Sequence, residues 1–127
     1  MRKTLTEHQC DFTFALAKLI DWIETFTLYH VKIQELNRTA ATQEEYVRTG
    51  KSKTMYSKHL NRLAADLVLY NPDTKEVITY GEAFRPIGEY WERLGGRWGG
   101  RFGLEGLPKG NQAKKLGWDV GHYEWIV

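Results

Sequence analysis

Two histidines and three carboxylates are the residues in this chain whose types and spacing could do chemistry together. His59 lies in the stretch SKHLNRLAAD, Ser57 to Asp66, and Asp66 closes it. Asp66 also sits inside AADLVLY, which reads as a strand. Along that strand Ala64, Asp66 and Val68 share one face, and Ala65, Leu67 and Leu69 share the other. Both faces are otherwise apolar. A carboxylate buried there is costly unless it is paired or bound to a metal. Asp66 therefore needs a partner, and His59 and His122 are the candidates. His122 belongs to the closing stretch GWDVGHYEW, Gly117 to Trp125, which also carries Asp119 and Glu124.

Two histidines and one carboxylate make a ligand set for a catalytic zinc, which takes three protein ligands and leaves a position for water. Such a metal acidifies water and polarises a carbonyl. A nearby carboxylate must then accept the water proton. Asp119 can supply it, provided that it lies in the loop entering the last strand. On a regular strand it would face away from His122, and Gly117 permits the needed bend. Glu124 shares the His122 face and is the competing base. A buried His–Asp pair beside a strand histidine fits the same spacing without any metal.

These residues need elements to position them. Phe12, Ala15, Leu16, Leu19, Ile20, Ile23 and Phe26 recur at helical spacing and predict an amphipathic helix, with Thr6 and Gln9 at capping-box spacing before it. LYHVKIQEL reads as a strand, with His30 in a structural or surface role. Thr42 with Glu45 predicts a second cap, a short helix over 43–49 and a stop at Gly50. KSKTMYSK reads as a loop. AADLVLY and EVITY flank NPDTK as a hairpin. Pro86 reads as the first residue of a helix through IGEYWERL, stopped by Gly95 and Gly96. GGRWGGRFGLEGLPKGN reads as a Gly-rich loop, and DVGHYEWIV as a final strand. The mixed order predicts one compact α+β domain over residues 1–127.

Composition narrows the function classes. A hydrophobic fraction of 42% and a charged fraction of 27% are those of a folded globular chain and argue against disorder. A net charge of +2 gives no electrostatic footprint for nucleic acid. Only the short run Arg97, Trp98, Arg101 and Phe102 has an RGG-like look. The single cysteine, Cys10, excludes an intrachain disulfide and a Cys-rich zinc site. The opening MRKTLTEHQCDF develops no apolar run, so no signal peptide is expected. Phe12 to Tyr29 carries Lys18, Asp21 and Glu24, so no membrane span is expected.

SKHLNRLAAD and DVGHYEW resemble the paired motifs of the M15 family of zinc DD-peptidases, written SxHxxGxAxD and (E/D)xxH, in particular those of phage endolysins that cut peptidoglycan stem peptides. Ser57, His59, Ala64 and Asp66 fall on the first motif, and Asp119 and His122 on the second. NRTAATQEEYVRTGKSKT resembles the family's Arg-then-Gln segment, with Arg38 and Gln43 on those positions. EYWERLGGRWGGRF resembles its Gly-Trp-Gly-rich stretch. The resemblance runs in order from about Phe14 to Trp125. Arg62 stands where the first motif has glycine. If that glycine sets a turn or relieves crowding, the backbone here differs, or Arg62 reaches the substrate.

The resemblance implies a hedgehog/DD-peptidase-like fold, a small antiparallel sheet with flanking helices. It implies Zn2+ on His59, Asp66 and His122, with Asp119 as general base and Arg38 stabilising the developing oxyanion. Ser57 and Gln43 would contact substrate or support those that do, and the loop carrying Trp98 would wall the cleft. The activity implied is an L-alanyl-D-glutamate endopeptidase acting on peptidoglycan stem peptides, with a D-alanyl-D-alanine carboxypeptidase or dipeptidase as the alternative. A phage lysis enzyme made in the host cytoplasm would need a holin to reach the cell wall. A cell-wall-binding or nucleic-acid-binding module without activity is the alternative of another class. Against it, all ligands and the base are present.

Overall fold

In the computed structural model, which describes residues 2–127, the apolar stripe folds as α1, Leu5–Phe26. Its buried face is Phe12, Ala15, Leu16, Leu19 and Ile23. The capping box lies two residues earlier than the spacing predicts. Thr4 Oγ1 accepts from the Glu7 amide at 3.2 Å, and Glu7 Oε1 accepts from the Thr4 amide at 3.0 Å. Gln9 is occupied elsewhere: its Nε2 donates to the Asn61 carbonyl at 2.7 Å, which ties α1 to the segment carrying His59.

Strand β1, His30–Glu35, follows, then α2, Ala40–Arg48. Thr39, not Thr42, caps α2 and accepts from the Thr42 amide at 3.1 Å. The chain leaves this helix through Gly50 at φ +82°, as expected of a glycine stop. A 3-10 turn, Lys58–Asn61, leads into β2, Ala64–Asn71, which forms the expected hairpin with β3, Glu76–Ile78. Helix α3, Phe84–Arg93, starts two residues ahead of Pro86. The proline still lies in the first turn, where its missing N–H costs no intrahelical bond.

The Gly-rich stretch is more ordered than a loop. It holds β4, Gly96–Trp98, a 3-10 turn, Gly99–Arg101, and a one-turn helix α4, Lys109–Gln112. Trp98 is fully buried, and its indole Nε1 donates to the Val120 carbonyl at 2.7 Å. A Cβ on Gly88 of α3 would fall 2.0 Å from the Trp98 ring, so the glycine lets α3 and β4 close on that indole. Strand β5, His122–Trp125, completes a sheet of order β1-β2-β5-β4 with β3 also on β2, every pairing antiparallel.

The two faces of this sheet have different jobs. Ala65, Leu67, Leu69 and Tyr123 pack with α1 and α3 in the apolar core. The opposite face carries charge. Register pairs Glu35 with Asp66, Asp66 with His122, and Arg97 with Glu124. Because side chains alternate across a strand, these groups line up on the face away from the core. No helix among the described residues is long and apolar enough to cross a membrane.

Candidate metal centre

Pairing of β2 with β5 brings Asp66 and His122 side by side, with Asp66 Oδ1 3.0 Å from His122 Nδ1. His59 comes from the 3-10 turn. Ser57 caps that turn, its Oγ accepting from the His59 amide at 3.2 Å. Arg62 ends it in the left-handed region, φ 56° and ψ 41°, which turns the chain into β2. The motif glycine that Arg62 replaces is thus a turn-setting position. Arg62 keeps the turn despite its Cβ. It does not line the cleft over His59.

The buried His59 ring is oriented by the backbone. Its Nδ1 lies 2.7 Å from the Leu36 carbonyl, which can only accept, so the ring proton is assigned to Nδ1 and Nε2 presents a lone pair. That Nε2 is buried, has no hydrogen-bond partner among the described residues, and lies 3.2 Å from Asp66 Oδ2. One ligand atom from each of His59, Asp66 and His122 falls within 4.8 Å of the others. An orphaned nitrogen, a carboxylate and a second imidazole converging at that spacing are a donor set that fits a divalent cation such as zinc.

Electrostatics support the same arrangement. Burial would raise the Asp66 pKa, but the His122 hydrogen bond and the two imidazoles beside the carboxylate hold it well below the usual carboxylate range. Burial would lower the His122 pKa, yet Asp66 and Glu124 raise it to about 9 in the absence of a metal. Glu124 meets the other side of the His122 ring, its Oε1 2.9 Å from Nε2. Burial works against its ionisation, but the His122 hydrogen bond and Arg97 keep its pKa low.

Asp119 lies in a turn ahead of β5. The His122 amide donates to the Asp119 carbonyl at 3.0 Å, and the Asp119 amide donates to the Gly99 carbonyl at 3.3 Å. The bend that the sequence reading required is therefore present, and it brings Asp119 Oδ2 to 3.7 Å from His122 Nδ1, on the ligand side. Its side chain is 47% exposed, open to the cleft. Burial by the walls raises its pKa, with His122 opposing and Asp66 adding to the shift. Gly99 makes this turn possible by close approach: a Cβ there would lie 2.0 Å from the Asp119 carbonyl oxygen.

Arg38 enters from the segment between β1 and α2, its side chain only 8% exposed. Nε and Nη2 bond Glu35, and Nη1 donates to Gln43 Oε1 at 2.7 Å and to Ser57 Oγ at 3.3 Å. Nη2 also lies 3.9 Å from Asp66 Oδ2. The guanidinium stacks on the Tyr46 ring at 4.6 Å, and Tyr46 Oη donates to Glu35 Oε2 at 3.0 Å. Arg38 is thus brought to the edge of the His59, Asp66 and His122 cluster and held there.

Two expected substrate contacts stand differently. Gln43 is fully buried and does not line the cleft. It accepts from Arg38 and donates to Ser52 Oγ and the Thr54 carbonyl, so it braces the arginine and the loop after α2. Trp98 does not line the cleft either, because its indole fills the core behind β4. The aromatics that do line the cleft are Tyr46, Tyr56, Phe102 and Trp118, and Ser57 lines it as expected. The cleft measures about 960 Å³. Lys53 of the facing loop lies 4.4 Å above the Trp118 ring.

Glu35 and Tyr46 went unnoticed in the sequence. Tyr46 had a signal, since it lies three residues after Gln43 on one helix face. Glu35 had none, because a register shift between Ile33 and Glu35 sets its pairing with Asp66.

Residues 50–105 match a peptidase family of the M15 group described as D-alanyl-D-alanine carboxypeptidase. No curated protein sequence matches significantly. Among solved structures, the chain is similar to the L-Ala D-Glu endopeptidase ChiX of Serratia marcescens, with a TM-score of 0.64 and 23% identity over 95% of this chain and 85% of that one. It is also similar to a variant of the vancomycin resistance D,D-pentapeptidase VanY from a VanB-type cassette, in complex with Zn(II). There the TM-score is 0.57, with 17% identity over 91% of this chain and 71% of that one. At such identities the likeness establishes a shared fold, and the α+β expectation with it.

Proposed function

We propose that this chain, a peptidase of the M15 family, is zinc-dependent and hydrolyses an amide bond in the stem peptides of peptidoglycan. The observation that carries the reading is the convergence of the bare, buried His59 Nε2 with Asp66 and His122 Nδ1. His59, Asp66 and His122 would hold the metal. Bound zinc supplies Lewis acidity, polarising a carbonyl and lowering the pKa of water.

The remaining chemistry belongs to side chains of this chain. Asp119, half-exposed in the cleft beside the ligands, would accept a proton from the attacking water and return it to the leaving amine. Its raised pKa suits a group that must both take and release a proton. Glu124 is the poorer base, because one oxygen is engaged by His122 and the other lies 3.3 Å from Arg97. Arg38, fixed by Glu35, Gln43 and Ser57, would present charge to the substrate carbonyl oxygen as that oxygen becomes negative. Ser57 would act in the cleft wall, and Gln43 from behind Arg38.

Within the stem peptide we favour the bond between L-alanine and D-glutamate. Asp rather than Glu at the base position resembles that subset, and the fold of ChiX is consistent with it. The D-alanyl-D-alanine bond is the second reading, favoured by the family description. Action would be at the bacterial cell wall, and a phage lysis role would make access depend on a holin.

Zinc content and digestion of purified peptidoglycan test the proposal together. The expected result is about one zinc per chain, lost in His122→Ala, and release of new amino ends by the wild type. Mass spectrometry of the released peptides identifies the bond. A wild-type chain that neither retains zinc nor cuts peptidoglycan after reconstitution would refute the proposal. For the phage role, expression in a host should cause lysis only with a co-expressed holin.

A further inference from the structure

We propose that Glu124, backed by Arg97, is a positioning residue that fixes the ring proton of His122 on Nε2, so that Nδ1 is the nitrogen offered to the metal. The inference rests on the metal reading above and concerns which atoms make that site work.

An imidazole can ligate through either nitrogen, and the proton on the other one decides which. The two ring nitrogens of His122 face different surroundings. Nδ1 points into the cluster, 3.0 Å from Asp66 and 3.7 Å from Asp119. Nε2 points away from it, 2.9 Å from Glu124 Oε1. For Nδ1 to give its lone pair, Nε2 must carry the proton, and a buried N–H needs an acceptor. Glu124 provides one because residues two apart on β5 share a face.

The geometry also explains how a carboxylate is kept at that buried position. Glu124 Oε2 lies 3.3 Å from Arg97 Nη1, and β4–β5 register sets Arg97 directly opposite Glu124. Arg97 is itself held. Nε and Nη2 donate to Glu105 at 2.9 and 2.5 Å, and the guanidinium lies 4.4 Å above the Phe102 ring. Glu105, Arg97, Glu124 and His122 thus form a chain of alternating charge ending at the ligand ring. His59 is oriented more simply, by the neutral Leu36 carbonyl. A carboxylate partner makes its imidazole the more basic ligand, so His122 is the stronger donor of the pair.

Purified wild type, Glu124→Gln, Glu124→Ala and Arg97→Met are compared for zinc affinity by chelator competition and for the visible absorption of the Co2+-loaded protein. Circular dichroism checks the fold. We expect Glu124→Ala to weaken zinc binding about 10–100-fold and to shift the Co2+ bands. Glu124→Gln should recover part of the affinity, because its amide oxygen still accepts from Nε2. Arg97→Met, which touches no ligand, should weaken binding in the same direction. Wild-type affinity and unchanged Co2+ bands in the glutamate variants would overturn the assignment and leave the metal site standing. If the wild type binds neither metal, the metal reading fails and takes this one with it. Should Glu124→Ala not fold, Glu124→Gln decides by the same two readouts. Wild-type zinc affinity together with lost turnover in Glu124→Gln would make Glu124 the base and also overturn the assignment.

Discussion

Asp119 and Glu124 are both carboxylates within three residues of His122, yet the turn and the strand give them opposite sides of one imidazole. Asp119 reaches the ligand side and has no side-chain hydrogen bond among those of the described residues, whereas Glu124 is spoken for at both oxygens. Asp119→Asn should therefore keep zinc and lose kcat by about 10²–10⁴-fold, the usual scale for a positioned acid–base group. Zinc analysis of the same preparation used for kinetics checks both halves, and parallel loss of zinc would make Asp119 a ligand instead. Gln43 carries a different prediction. Gln43→Leu removes one acceptor of Arg38 Nη1, which keeps Ser57 Oγ, and one donor to the Thr54 carbonyl, which keeps Ser52 Oγ. Losing the hydrogen bond to the charged guanidinium should cost about 1.5–3 kcal/mol, read by denaturant unfolding. A fall in kcat beyond that of a neutral surface variant would show that Arg38 depends on this brace.

Secondary elements position these groups through two backbone features that side-chain reading alone does not supply. Arg62 holds φ 56° with a Cβ that the left-handed region disfavours by about 1–2 kcal/mol. Glycine would remove that strain but adds chain entropy of about 0.5–1 kcal/mol in the unfolded state. Arg62→Gly should thus stabilise the protein by about 0.5–1 kcal/mol, seen as a higher denaturant midpoint at unchanged slope. Gly99→Ala should do the reverse. Its Cβ would meet the Asp119 carbonyl at 2.0 Å and the His122 Cβ at 2.9 Å, so the turn must move. Loss of stability and a weaker zinc affinity, measured by thermal unfolding and chelator competition, are the expected pair. Long apolar patterns made α1, β2 and the β2–β3 hairpin readable in the sequence, because period and burial agree along them. Caps were displaced by two or three residues because Thr4 and Thr6, or Thr39 and Thr42, offer equivalent side chains, and a distant contact such as Gln9 with Asn61 decides between them. Strand β4 was hidden because three residues flanked by glycines carry too little pattern, and Trp98 gave no sign that it faces inward. His59, Asp66, His122 and Asp119 stood out by type and order. The guanidinium clamp of Glu35 and Tyr46 did not, since it depends on a register shift.

Across the whole molecule, the candidate ligands come from segments that the chain alone joins loosely. His59 lies on a single 3-10 turn and His122 begins a four-residue strand, while Asp66 sits on the central strand β2. The apolar core lies on the other face of the sheet, against α1 and α3. On the site face, polar and charged contacts hold these segments where the core does not reach. Bringing three such groups together without a cation leaves His59 Nε2 buried and unpartnered, which costs stability. A bound zinc would satisfy that nitrogen and cross-link the 3-10 turn, β2 and β5. Because binding to the folded state alone stabilises by RT ln(1 + [L]/Kd), zinc at about 1,000 times its Kd should add about 4 kcal/mol. For a chain of this size that corresponds to a rise in Tm of about 10–20 °C. Thermal unfolding with excess zinc and with a strong chelator measures the difference directly. Hydrogen exchange locates it: protection should fall on chelation at the amides of residues 57–63 and 117–123, and remain in α1 and α3. A uniform loss of protection across α1 as well would mean that the metal holds the whole fold together rather than the site face. An unchanged Tm would mean that the three side chains converge without a cation between them.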